Sequence, residues 1–155
     1  LSGARALKMR RFLKEHPEYA GGTVGAAAVD SNGVLAAATS TGGVTMKLVG
    51  RVGDSPIPGA GNYASRHIAA SATGTGEFVI RSLATRAISE AVEHGAPFPE
   101  AMRQVLDQLG RDFDADVGIV GVDRDGQPVA VHRTRDMPHA FFSGDAPVAA
   151  RMRVE

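Results

Sequence analysis

Gly21-Gly22-Thr23-Val24-Gly25-Ala26-Ala27-Ala28-Val29-Asp30 runs through Ser31-Asn32-Gly33 into a second apolar segment, Val34–Thr39. Asn-Gly between two such runs signals a β-hairpin, because its turn needs positive φ. Alanines on both faces of both runs predict a hairpin that is central and buried. Gly21 and Gly22 let the backbone enter conformations closed to other residues, as attack by a hydroxyl on the preceding carbonyl would require. Alone, Gly-Gly-Thr is an ordinary turn entering a strand. The segments downstream give it a second meaning.

A threonine hydroxyl is a poor nucleophile at neutral pH unless a base stands beside it, and the α-amine of an N-terminal threonine supplies one. That amine titrates near pH ~8, so roughly a tenth is neutral at pH 7, whereas a lysine at ~10.4 is almost wholly charged. Thr23 inside an uncut chain has no such amine. Cleavage between Gly22 and Thr23 would create it, and the uncut chain is expected to be inactive.

The totals narrow the classes. The chain has 155 residues and 43 % hydrophobic content, the length of one ordinary domain with a real core. Seventeen basic residues balance seventeen acidic ones, which leaves no electrostatic footprint for nucleic acid or an anionic membrane. Cysteine is absent, which removes disulfides, thiolate catalysis and cysteine-bound metal sites. No apolar run approaches a membrane span, and the cytoplasm is the default compartment.

Residues 1–16 alternate Ala4, Leu7, Met9, Phe12 and Leu13 with basic residues, predicting an amphipathic, solvated helix. Residues 17–22 read as a linker delivering Thr23. Residues 42–64 are rich in glycine and read as loops, where function often lies. Apolar spacing predicts one helix from Phe78 to Val92, capped at Thr75 or Gly76, with Glu77 in a first turn that favours negative charge. A second helix is expected from the Pro97–Glu100 region to Leu109, with Gly110 as its stop. Val117–Val122 and Pro128–His132 flank a turn as a second hairpin, and a short edge strand is expected between Phe141 and Val154. His16, His67, His94, His132 and His139 lack ligand spacing and read as structural or surface residues.

Three further segments carry candidate chemistry: Thr39-Ser40-Thr41-Gly42-Gly43, Gly50-Arg51-Val52-Gly53-Asp54-Ser55 and Thr73-Gly74-Thr75-Gly76-Glu77. A guanidinium fork binds a carboxylate through two parallel hydrogen bonds, and a carboxylate accepts from an ammonium. Arg51 and Asp54 could therefore receive a free amino-acid head group, or could simply form a surface ion pair. The glycine-rich turn at Thr73 could hold phosphate at a helix start, but it lacks the P-loop lysine. Gly59-Ala60-Gly61-Asn62-Tyr63-Ala64 mimics a dinucleotide fingerprint without the strand that should precede it.

Taken in order with Gly22-Thr23-Val24-Gly25, these segments resemble the plant-type asparaginase / isoaspartyl aminopeptidase family of N-terminal-nucleophile hydrolases. The resemblance covers residues 23 to about 140 and is strongest over 23–77. It implies self-cleavage between Gly22 and Thr23, with Thr23 as nucleophile and Thr41 hydrogen-bonding it. Arg51 and Asp54 would hold the substrate's α-carboxylate and α-ammonium, with help from Gly76. Thr73 and the N–H of Gly74 would form the oxyanion hole, an arrangement worth about 3–4 kcal/mol in such sites. The implied substrates are L-asparagine and β-aspartyl peptides, with no metal or organic cofactor.

The implied fold is α+β, an αββα sandwich of which this chain supplies the C-terminal, β-subunit half. Residues 1–22 would be the tail of the N-terminal half and residues 23–155 the catalytic region. The implied partners are the N-terminal (α) half and a second αβ unit, giving a homodimer of αβ heterodimers. Two alternatives compete. A glycosylasparaginase-like amidase typically carries Asp-Thr-Ile-Gly, against Gly22 and Val24 here, and an inactive half would act only within a complex.

Overall fold

The computed structural model describes residues 22–45, 47–144 and 148–151, together with Arg11 and Glu15. The expected N-terminal helix and the linker after it otherwise lie outside the described residues. Arg11 and Glu15 are joined by an ion pair at 3.1 Å.

Strands β1 (Thr23–Val29) and β2 (Leu35–Thr41) form the expected hairpin, with Thr23 opposite Thr41 and Val29 opposite Leu35. Its turn is held by Asp30, whose Oδ1 accepts from the N–H groups of Asn32 and Val34, both at 2.8 Å. Those bonds, led by the one from Val34, hold the Asp30 carboxyl below its usual range. Gly33 takes the positive φ of 76° that the turn needs. The second hairpin, β5 (Val117–Asp123) with β6 (Pro128–His132), repeats the device. Asp123 accepts from Asp125 and Gln127 at 3.0 and 2.8 Å, and Gly126 has φ 83°. Both turns thus share Asp-x-x-Gly, an Asx turn closed by a left-handed glycine.

A four-stranded antiparallel sheet in the order β3-β4-β5-β6 forms the centre, with β3 at Asn62–Ala64 and β4 at Ile68–Gly74. Side chains alternate across it. Ile68, Ala70 and Ala72 of β4, Val117 and Ile119 of β5 and Val131 of β6 face helices α1 (Gly76–Ser82), α2 (Ala84–Glu93) and α3 (Phe98–Phe113). There they meet Val79, Ile88, Met102, Leu106 and Leu109 in one apolar cluster. Ser71 and Thr73 of β4 lie on the opposite face, against which the β1–β2 hairpin packs. The described residues thus build three layers: helices, the four-stranded sheet and the two-stranded hairpin.

The structure corrects several expectations. The hairpin is the outermost layer and not a buried centre, with Val24 70 % and Val34 63 % exposed. Its alanines let one face lie close on the sheet, while Val24, Ala26, Ala28, Ala36 and Ala38 stay open on the other. Strand β4, buried from Ile68 to Ala72, has no counterpart among the sequence expectations, because Ala, Ser and Gly are poor strand formers. Its place is set by pairing on both sides.

The helix expected from Phe78 to Val92 is two helices broken at Leu83, which adopts φ 47°. Neighbouring chain causes the break. The N–H of Arg86 bonds the carbonyl of Gly59 at 2.8 Å, and Thr85 Oγ1 bonds that of Ala60 at 2.9 Å. The first turn of α2 therefore caps on a loop in place of continuing α1.

Helix α3 passes through Gly110 and ends at Asp114, φ 49°. Gly110 lies where a Cβ would meet the guanidinium of Arg133, so its small size serves packing there, not helix termination. The C-terminal strand expectation resolves into a separate two-stranded sheet, β7 (His139–Phe141) with β8 (Ala149–Arg151).

Candidate active site

Thr23 opens β1 and Thr41 closes β2, so the antiparallel register sets them opposite each other. The Thr23 hydroxyl donates to the Thr41 hydroxyl at 3.3 Å. Thr41 Oγ1 also accepts from the N–H of Gly43 at 3.0 Å, which fixes the rotamer that faces Thr23. Thr73 reaches the same place from the sheet below. A cavity of about 60 Å³ is lined by Thr23, Ser71, Thr73, Gly118, Val120 and Met137 among others. That is room for a few waters or a small polar group.

Strand β4 ends where this cavity opens, at a glycine whose φ of 135° is closed to other residues. A side chain on Gly74 would strike the Asp116 carbonyl, with Val117 Cα 2.7 Å from its Cβ. Helix α1 then starts from Thr75, which caps it without a side-chain hydrogen bond.

On the other side of Thr41 lies a wider cavity of about 380 Å³, lined by Thr39, Thr41, Gly43, Lys47, Arg51 and Ser55 with their neighbours. Thr41 thus stands between the two spaces. Arg51 does not pair chiefly with Asp54. Its Nε and Nη2 both donate to Oε1 of Glu77, at 3.0 and 2.8 Å. This pairing draws the Glu77 carboxyl below its usual range. Glu77 sits in the first turn of α1 as expected, and its ionic partner is Arg51.

Asp54 is 7 % exposed, and its Oδ2 has no hydrogen-bond partner among the described residues. Burial pushes its carboxyl above the usual range, against smaller opposing pulls from the backbone N–H of Asp54 itself, from Arg51 and from the N–H of Ser55. Gly76 is packed against both: a Cβ there would lie 2.6 Å from Asp54 Oδ1 and 3.2 Å from Arg51 Nη2. Gly76 therefore brings the helix start down onto the pair. Gly22 is different. It does not take positive φ, and the space where its Cβ would lie is open.

The structure thus sets Thr23 and Thr73 on one small cavity, with Thr41 hydrogen-bonded to Thr23 and lining the wider cavity, and it gathers Arg51, Asp54 and Gly76 into a second cluster. Sequence reasoning did not single out Thr39 and Ser71, or the Arg51–Glu77 contact. The first two stand two residues before Thr41 and Thr73, on the same faces of their strands, which period-2 alternation could have flagged. Among the described residues no group of three His, Asp or Glu side chains is placed to hold a metal ion. The ring nitrogens of His94 and His139 contact carbonyls within their own segments, Glu90 at 2.7 Å and Met137 at 2.8 Å. No helix among the described residues is long and apolar enough to cross a membrane.

A hairpin that opens on a threonine thus lies over a strand ending in Thr73-Gly74. The asparaginase family model matches residues 4–149, and the chain belongs to that family. It is 43 % identical over 135 residues to the isoaspartyl peptidase of Escherichia coli, covering 85 % of this chain and 42 % of that protein. It is 45 % identical over 121 residues to a plant-type L-asparaginase of Pyrobaculum calidifontis, covering 77 % and 40 % respectively. A putative isoaspartyl peptidase/L-asparaginase of Dictyostelium discoideum is 56 % identical over 80 residues, 52 % of this chain and 23 % of that one. The chain thus spans less than half the length of these curated relatives.

Proposed function

We propose that this chain is the nucleophile-bearing, C-terminal half of a threonine amidohydrolase that cleaves the β-aspartyl amide bond of L-asparagine and of isoaspartyl dipeptides. Its supporting relatives carry the names isoaspartyl peptidase and plant-type L-asparaginase. The observation that carries the reading is the Thr23 hydroxyl, 3.3 Å from that of Thr41 and sharing a cavity with Thr73.

Autocleavage between Gly22 and Thr23 activates the site. The Thr23 hydroxyl attacks the Gly22 carbonyl, the C–N bond breaks to leave an ester, and water hydrolyses the ester. The Thr23 amine so freed becomes the base. In turnover, Thr23 Oγ1 loses its proton to that amine and attacks the side-chain amide carbon. Thr73 and the Gly74 N–H hold the oxyanion, and the protonated amine returns the proton to the departing ammonia or peptide amine. Water then attacks the ester and releases aspartate. Arg51 holds the α-carboxylate, while Asp54 and Gly76 receive the α-ammonium.

Residues 1–22 belong to the N-terminal half in this reading, and 23–155 to the catalytic half. The two halves complete an αββα sandwich, and two such units pair. The open outer face of the β1–β2 hairpin, with Val24 and Val34 exposed, supports a covering partner layer. The default compartment is the cytoplasm.

The test is the intact mass and N-terminal sequence of the protein purified from its source. A polypeptide beginning Thr23-Val24-Gly25 is expected, together with ammonia release from L-asparagine. A chain that stays uncut on long incubation overturns the proposal.

A further inference from the structure

The nucleophile pair and the oxyanion strand belong to different layers, so something must fix the hairpin on the sheet. The contact is local and polar. Thr39 Oγ1 donates to the Gly61 carbonyl at 3.1 Å and lies 2.6 Å from Ser71 Oγ. A hydroxyl has one hydrogen to give, and that of Thr39 is already given to Gly61. Ser71 is therefore the donor to Thr39. Gly25, opposite Thr39 in the hairpin, leaves the space that Ser71 fills, since a Cβ there would collide with the Ser71 hydroxyl. Ser71 is 4 % exposed.

We propose that the Ser71–Thr39 hydroxyl pair, seated over Gly25, is a positioning lock that sets the nucleophile hairpin against the oxyanion strand and the Asp54 loop. Each member stands two residues, and so on the same strand face, from a site residue: Gly25 from Thr23, Thr39 from Thr41, Ser71 from Thr73. Gly61 extends the lock, because its carbonyl accepts from Thr39 while its N–H bonds the Asp54 carbonyl at 3.1 Å. The chain Ser71, Thr39, Gly61, Asp54 therefore links all three parts of the site. Two residues of strand span about 7 Å. A hairpin tilt of about 10° at the lock moves Thr23 by roughly 1 Å, a displacement that can cost about a hundredfold in rate.

This inference rests on the function proposed above, so its test carries an independent readout. Thr39→Val, Ser71→Ala, their double variant and Thr39→Ser are made in the full-length protein. On L-asparagine, Thr39→Val and Ser71→Ala each lower kcat about ten- to a hundredfold while KM stays within about threefold, because Arg51 and Asp54 keep their own supports. The double variant is little worse than either single one, and Thr39→Ser, which keeps the hydroxyl, restores kcat. A Thr39→Val enzyme with wild-type kcat, a loss confined to KM, or Thr39→Ser as poor as Thr39→Val overturns the lock.

If the wild-type protein hydrolyses neither asparagine nor β-aspartyl peptides, the proposed function falls and amide hydrogen exchange decides the lock alone. Exchange across β1 and β2 should then rise about tenfold in Thr39→Val and stay unchanged in Thr39→Ser. Unchanged exchange in Thr39→Val overturns it.

Discussion

Asp54→Asn should push stability and substrate use in opposite directions. The carboxylate is 7 % exposed, its Oδ2 has no partner among the described residues, and the nearby guanidinium of Arg51 directs two hydrogens to Glu77. The Asp54 charge is therefore buried with only partial compensation from the backbone N–H groups of Asp54 and Ser55 and from Arg51, and burial raises its pKa. A raised carboxyl pKa means that the folded state binds more protons than the unfolded one between the unfolded and folded values. Stability from this group is thus fully present below the unfolded pKa and lost as pH rises through the folded pKa. At neutral pH the ionised group opposes folding.

An unsatisfied buried polar atom costs about 1–3 kcal/mol. Removing the charge with an isosteric amide should recover about 1 kcal/mol of that, or roughly 2–4 °C in Tm for a domain of this size. On the proposed reading, the substrate ammonium is the missing partner. Truncating one side of a buried charge pair costs about 2–5 kcal/mol, which lowers kcat/KM by roughly thirty- to a few thousandfold. Thermal unfolding without substrate and steady-state kinetics on L-asparagine measure the two effects separately. A variant that melts below the wild type at pH 7, or that keeps kcat/KM within about threefold, would refute the reasoning.

On the same reading, acidification should raise KM for L-asparagine from a pH above the ordinary carboxylate range, because an Asp54 that receives an ammonium must be ionised and its pKa is raised by burial; a KM flat down to pH 4 in a KM-against-pH series would contradict this. Gly76→Ala should raise KM at least tenfold with kcat less affected, since its Cβ would lie 2.6 Å from Asp54 Oδ1; steady-state kinetics separate the two constants. Leu83→Gly should stabilise the protein by about 0.5–1 kcal/mol in chemical denaturation, because Leu83 holds φ 47° and its side chain is about half exposed.

What the sequence made legible was local. Asn32-Gly33 announced the first hairpin turn, the turn between Val117–Val122 and Pro128–His132 the second, and the apolar spacing of Met102, Val105, Leu106 and Leu109 placed α3. Thr23 and Thr41 were readable as partners through the family resemblance, and the hairpin register that sets them opposite each other supplies the physical reason. What escaped was set by distant chain. Ile68-Ala69-Ala70-Ser71-Ala72 carries almost no strand preference of its own, yet it is one of the two central strands because β3 and β5 pair with it.

Leu83 breaks a continuous helical pattern because Gly59 and Ala60 offer carbonyls to the next turn. Glu77, placed at a helix start where any acidic residue would suit the dipole, is turned toward Arg51 across 26 residues of chain. The same long-range pairing explains why Asp54 is left with an open oxygen: the cation that sequence proximity assigned to it is shared with a stronger partner. On the proposed reading, a site that must accept an ammonium gains from that sharing. An Asp54 already satisfied by Arg51 would have to surrender a hydrogen bond before it could bind a substrate, whereas an unsatisfied carboxylate is relieved by the substrate itself.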